Sequence, residues 1–121
     1  MAVMTLTDEN FDSIVAANDT VLVDFWAEWC APCRIFSEYF TKQSEKYPDI
    51  IFGKVNIEVE HKLKDDFQVR SIPMLMVFRG GVIVYAGAGA LTESGLEEVI
   101  QKAKALDLQE IQQNLGDQGA T

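Results

Sequence analysis

Cys30 and Cys33 are the only two cysteines in a chain of 121 residues, and they flank Ala31-Pro32 directly after Trp29. A thiol acts as a nucleophile or metal ligand in its thiolate form. A pair at this spacing supplies both an attacking sulfur and a second sulfur that can close a disulfide on it. An apolar run, Val21 to Trp26, precedes the pair, and a helical pattern follows it. The motif therefore falls at a strand-to-helix junction, where unpaired backbone N–H groups and the helix dipole stabilise negative charge. That placement points to thiol–disulfide exchange. Three other uses compete with it. A structural zinc site needs about four nitrogen or sulfur ligands, and the chain offers two cysteines and the single His61. A structural disulfide between residues so close in sequence closes only a short loop and constrains the unfolded chain little. Two unrelated core thiols would not usually have a proline between them and a tryptophan beside them.

The other residue out of place is Asp24, inside the apolar run. A buried carboxyl is costly unless it is paired or protonated. Asp24 is thus a functional carboxyl, one half of a structural ion pair, or both. Trp26 and Trp29 read by default as core or surface aromatics, and only the adjacency of Trp29 to Cys30 suggests more. His61 lies on a charged stretch and receives no role.

The elements that must position these groups are legible in the pattern. Thr7 followed by Asp8 and Glu9 reads as a helix N-cap with acidic first-turn residues, and Phe11, Ile14 and Val15 recur at helical spacing up to about Asn18. Val21 to Trp26 reads as a central strand covered on both faces. Cys33, Phe36 and Phe40 define a second helix lasting to Tyr47, with Pro32 in its first turn and Pro48 ending it. Ile50 to Ile57 reads as a second core strand, and the intervening helix is long enough for a parallel crossover. Leu63 and Phe67 mark a less regular helix. Met74 to Phe78 and Val82 to Ala86 follow as strands joined by Arg79-Gly80-Gly81, an antiparallel hairpin signal. Thr92 caps a last regular helix, with Leu96, Val99, Ile100 and Ala103 facing inward. The class is α/β, a mixed sheet with helices on both faces.

Length and composition indicate one domain, large enough to bury roughly two-thirds of the surface its unfolded chain exposes. Net charge is −9, which argues against a nucleic-acid partner, since phosphates demand a basic face. No apolar run approaches the roughly 20 residues of a membrane span. The first residues carry no basic segment and run directly into Asp8 and Glu9, so no secretory or transit signal is read and a cytoplasmic location is expected. Glu58, Glu60, Asp65 and Asp66 interleave with Lys62 and Lys64 as a solvated helix face.

Asp24-Phe25-Trp26-Ala27-Glu28-Trp29-Cys30-Ala31-Pro32-Cys33, then Lys54-Val55-Asn56-Ile57, Ser71-Ile72-Pro73 and Gly89-Ala90-Leu91, closely resemble the thioredoxin family. The likeness covers residues 5 to 105 or so. It implies the thioredoxin fold, a central mixed five-stranded sheet flanked by four helices. It further implies that Cys30 is the nucleophile, more exposed than Cys33, that Cys33 is the resolving thiol, that Asp24 is the buried proton acceptor and that Lys54 is its partner. Ile72-Pro73 would be a cis-proline segment whose backbone pairs with an incoming peptide. Trp29, Ala31, Pro32, Ile72, Gly89 and Ala90 would form an apolar docking surface. The implied activity is that of a protein disulfide reductase, expected to act as a monomer on disulfide-containing proteins. A thioredoxin reductase or equivalent donor would recycle it, because the chain carries no dinucleotide fingerprint. No cofactor or metal is expected.

Four positions depart from the usual family pattern: Ala31 for glycine, Arg34 for lysine, Glu38 for a helix-kinking proline and Met74 for threonine. Alanine favours helix over glycine by about 1 kcal/mol and stiffens the first turn, and without its proline the second helix is expected to be straighter. Met74 removes a hydroxyl near the thiols and adds bulk. These bear on redox potential and target choice. Residues 106–121 extend past the usual family end, with Leu108, Ile111 and Leu115 at helical spacing and Gly116 a possible stop. They read as a frayed tail or as a helix that packs on the domain or binds a partner. Two other functions remain: an isomerase or oxidase on the same fold, and a binding or holdase module in which the cysteines are incidental. Ala31-Pro32 places no cation beside Cys30, so a reducing couple is expected.

Overall fold

The computed structural model describes the backbone of residues 3–119 and the side chains of residues 3–113. Five strands form one sheet in the order β1-β3-β2-β4-β5. They are β1 (Val3–Thr5), β2 (Thr20–Trp26), β3 (Ile51–Asn56), β4 (Met74–Arg79) and β5 (Val82–Ala88). The helices are α1 (Phe11–Ala17), α2 (Ala31–Lys46), α3 (His61–Asp66), α4 (Glu93–Lys104) and α5 (Leu108–Gly119). β3 runs parallel to β1 and β2, while β4 is antiparallel to both β2 and β5.

The hydrophobic run of β2 has the physical cause anticipated from its pattern. β2 lies at the centre of the sheet with residues Thr20 to Phe25 all buried. Successive side chains of a strand point to opposite faces, and β2 feeds two cores. Val21, Val23 and Phe25 join Phe11 and Val15 of α1 and Leu63 of α3. Leu22 joins Phe36 and Phe40 of α2 and Leu96, Ile100 and Ala103 of α4. Asp24 follows the period of Leu22 and so lies on the face that α2 and α4 cover. In β3, Lys54 follows Phe52, which belongs to the same core.

Several boundaries differ from the sequence reading. Thr7 does not cap α1: its hydroxyl accepts from the Asn10 N–H at 3.1 Å while Asn10 Oδ1 accepts from the Thr7 N–H at 2.8 Å. This reciprocal pair closes a turn, and the helix starts at Phe11 behind Asn10. Asp8 reaches across the fold instead, accepting from the Leu63 N–H at the start of α3, while Glu60 accepts from the Asp8 N–H. Thr92 does cap α4, accepting from the Gly95 N–H at 3.0 Å. Patterning did not locate β1, a three-residue edge strand too short to show a period. α2 runs unbroken for 16 residues through Glu38.

Among the described residues there are five helices where four were expected. The additional one, α5, occupies the segment beyond residue 105. Arg79 at the end of β4 donates to the carbonyls of Lys104 and Leu106, at the end of α4 and in the connection to α5, and to the Thr20 hydroxyl, satisfying carbonyls that a helix end leaves without partners. Gly80, at φ +62°, lies under α5: a methyl group there would stand 3.3 Å from Leu108 Cδ2 and 3.6 Å from Ile111 Cγ2. Leu115 is outside the residues whose side chains are described. No described helix is long and apolar enough to cross a membrane.

Candidate active site

The carboxyl end of β2 opens into Ala27-Glu28-Trp29, a buried alanine followed by two exposed residues. The chain then enters α2 at Cys30. Cys30 is the N-cap residue, with extended backbone (φ −91°, ψ 103°), and Pro32 takes an early position whose missing N–H costs nothing. The Cys30 sulfur does what an N-cap oxygen ordinarily does: it accepts from the Cys33 N–H at 3.2 Å. Cys30 and Cys33 are joined by a disulfide with Cα atoms 5.3 Å apart. No acidic residue occupies the first turn of α2, so nothing on the helix opposes the stabilisation its N-terminus offers an anionic sulfur. In this oxidised form the two cysteines are almost equally buried, Cys30 at 4% and Cys33 at 2% exposure. The expected difference in accessibility is therefore slight, and position at the helix end is what distinguishes them.

Asp24 is fully buried, and neither of its carboxyl oxygens has a hydrogen-bond partner. Burial drives its pKa from the ordinary 3.8 up to about 7, against the opposing pull of the Lys54 charge. Lys54 is its register neighbour on β3, yet no ion pair forms between them. The Lys54 ammonium donates to the Ser37 hydroxyl at 2.7 Å and lies over the Trp26 ring, 4.9 Å from its centroid. These groups line a cleft of about 420 Å³ bounded by Trp26, Ala27, Glu28, Cys33, Arg34, Ser37 and Lys54. Arg34, one turn into α2, donates to the Glu28 carbonyl at 2.7 Å and closes the cleft on that side. Sequence reasoning missed Ser37. The available signal was helical: Ser37 is four residues after Cys33 and so shares its face of α2.

The remaining predicted site residues converge at the same end of the sheet. Strand register sets Phe25 beside Met74 and Met74 beside Ala88. The segments just beyond these residues, Trp29 to Pro32, Ile72-Pro73 and Gly89-Ala90, are therefore brought to one edge. The Ile72–Pro73 peptide is cis. The Pro73 carbonyl accepts from the Gly89 N–H at 2.8 Å, which ties the two outer segments together, and Gly89 takes φ +101°, a conformation that favours glycine. Trp29 is 67% exposed, Ala31, Pro32, Gly89 and Ala90 are exposed, Ile72 is half-buried and Pro73 is buried.

Residues 2–102 match the thioredoxin family model. A Streptomyces coelicolor protein provisionally named thioredoxin 2 is 46% identical over 115 residues, covering 95% of this chain and 86% of the relative. Thioredoxin of Chlamydia pneumoniae is 37% identical over 100 residues, covering 83% and 97%. The solved Plasmodium falciparum thioredoxin superposes with a TM-score of 0.77 at 32% identity, covering 82% of this chain and 97% of that one. With a strand-to-helix CxxC already in place as a disulfide, these likenesses identify the chain as a member of the thioredoxin family, a thiol–disulfide oxidoreductase working by dithiol–disulfide exchange through Cys30 and Cys33.

Proposed function

We propose that the protein is a protein disulfide reductase in which Cys30 attacks, Cys33 resolves and Asp24 takes up the Cys33 proton. The observation that carries this reading is the Cys30 sulfur standing as N-cap of α2 and accepting the Cys33 N–H. In the reduced protein that donor and the helix terminus favour the Cys30 thiolate. The thiolate attacks one sulfur of a target disulfide, forming a mixed disulfide and expelling the other target sulfur as a thiolate that takes a proton from water. Cys33 loses its proton to the Asp24 carboxylate, and its sulfur attacks Cys30 Sγ. The Cys30–target bond breaks and the second target thiolate leaves. Two electrons have passed to the target, and the Cys30–Cys33 disulfide, the form described above, is the product.

A carboxyl without partners, titrating near neutrality, suits the second step, because it can both accept and return a proton at working pH. Lys54 acts electrostatically on that carboxyl from the neighbouring strand. Trp29, Ala31, Pro32, Ile72, Gly89 and Ala90 form the docking face, and the backbone beside Pro73 pairs with the bound peptide. A thioredoxin reductase or equivalent dithiol donor returns the electrons, and the protein works as a monomer in cytoplasmic redox homeostasis. The test is trapping. Cys33→Ser should accumulate a mixed disulfide at Cys30 with a disulfide-containing protein such as insulin, whereas Cys30→Ser should trap nothing and abolish reduction. Trapping through Cys33 in the Cys30→Ser protein, or insulin reduction surviving that change, would overturn the assignment.

A further inference from the structure

The cleft beside Cys33 contains an arrangement that the proposed mechanism does not use. Lys54 is the cation on the strand next to Asp24, in register with it and on the same face of the sheet. Its ammonium nevertheless bonds to Ser37, while both Asp24 oxygens go without a partner. Ser37 is the α2 residue one turn beyond Cys33, half-buried, and its hydroxyl supplies the acceptor that Lys54 uses. The Trp26 ring holds the ammonium from another side.

We propose that Ser37 is a positioning residue that holds the Lys54 ammonium on the α2 side of the cleft and withholds it from Asp24, leaving the carboxyl without an ionic partner. The groups that face Asp24 support this balance. From β3 comes Lys54 and from β4 the apolar Leu75. The cleft beside Lys54 is lined from α2 by Cys33, Ser37 and Arg34, the last committed to the Glu28 carbonyl, and Glu28 itself is exposed at the rim. The helix α4 contributes apolar Leu96 and Ile100 to this face. Of the two cations in this set, Lys54 is the one whose charge acts on Asp24, so its position decides how readily Asp24 ionises. An opposite charge brought to within about 4–6 Å lowers a carboxyl pKa by roughly 1–3 units. Removing the competing acceptor lets Lys54 turn toward the unpartnered carboxyl, which then ionises at lower pH and becomes a weaker base.

The consequence for turnover rests on the reading of Asp24 as proton acceptor for Cys33, so the experiment separates the two. The Asp24 carboxyl is titrated by carbon NMR in the oxidised wild-type, Ser37→Ala and Ser37→Thr proteins, and the pH profile of mixed-disulfide resolution is measured alongside. Alanine is the better helix former, so the fold is retained. Ser37→Ala should lower the Asp24 midpoint by about one pH unit, the low end of what a nearby cation imposes. Ser37→Thr, which keeps the hydroxyl, should restore the wild-type midpoint, and the resolution profile should move with it. An unchanged or raised midpoint in Ser37→Ala overturns the positioning role. A lowered midpoint, together with Asp24→Asn resolving at the wild-type rate, upholds the positioning and overturns the proton-acceptor reading instead.

Discussion

Replacing Asp24 by asparagine should stabilise the oxidised protein in a way that grows with pH. In the unfolded chain the carboxyl titrates at its ordinary 3.8, and in the fold burial raises it to about 7. Between these values the folded state binds more protons than the unfolded state, so wild-type stability falls as pH rises through this window. Below about pH 4 the group is neutral in both states and costs nothing by this route. Above about pH 7 it is charged in both, and the penalty is complete. About three pH units at 1.36 kcal/mol each gives a penalty of about 4 kcal/mol. Asparagine removes this pH dependence. Its amide sits in a site that offers the carboxyl no hydrogen-bond partner, which adds a cost of about 1–3 kcal/mol that does not vary with pH. The informative quantity is therefore the slope of the difference between the two proteins. Urea unfolding of both, disulfide intact, from about pH 4 to pH 8 should show the variant gaining on wild type by about 2–4 kcal/mol. A difference that stays flat across this range, or a wild type that gains on the variant as pH rises, would refute a neutral, desolvated Asp24.

Equilibrated with glutathione buffers, the Cys30–Cys33 couple should lie nearer the reducing potential of thioredoxins than that of disulfide isomerases, a gap of roughly 90 mV or about 4 kcal/mol for two electrons. Met74→Thr tests whether the bulk after the cis-proline, which packs against the core of Phe11, Phe25 and Leu63, sets this poise: a couple found at the isomerase end and unmoved by the change would contradict the reductase direction. Ending the chain at Ala105 should leave insulin reduction within about twofold, since the sheet and its CxxC junction precede that point. The truncation should still cost about 1–2 kcal/mol in urea unfolding, because it removes the Leu106 carbonyl bound by Arg79 and the Leu108 and Ile111 side chains over Gly80. No change in stability would mean that α5 contributes nothing to the domain. Gly80→Ala should destabilise the full chain by about 1 kcal/mol through its left-handed φ and should cost less after truncation, when Leu108 no longer opposes the methyl group.

The chemistry was legible because it is local. A thiol at a helix N-cap, a proline in the first turn and an apolar strand ahead of them all lie within 13 residues, Val21 to Cys33, and each follows from short-range backbone geometry. Asp24 stood out for the same reason: a carboxyl in a continuous apolar run is costly wherever the chain goes. Periodicity also separated the hairpin strands and the helices, while β1 escaped because three residues at a sheet edge carry too little pattern. The cap on α1 was misread because Thr7 and Asn10 satisfy each other in a turn, an arrangement as compatible with the residues as a helix start.

What lay beyond the sequence depends on distant segments meeting in register. That Lys54 stands beside Asp24, as the resemblance implied, is set by the β2–β3 alignment. That Lys54 turns to Ser37 and Trp26, leaving Asp24 alone, depends on how α2 lies over the sheet. The cis Ile72–Pro73 peptide meets Gly89 because β4 and β5 are aligned at that end. Residues beyond Ala105 had helical spacing that suited a frayed tail, a helix on the domain or a partner-binding helix alike, and only the fold sets Leu108 and Ile111 over Gly80. Local sequence encodes conformations and the cost of burying a group. Which partner meets that group is decided by long-range packing, where one strand's register moves a charge toward its counter-ion or away from it.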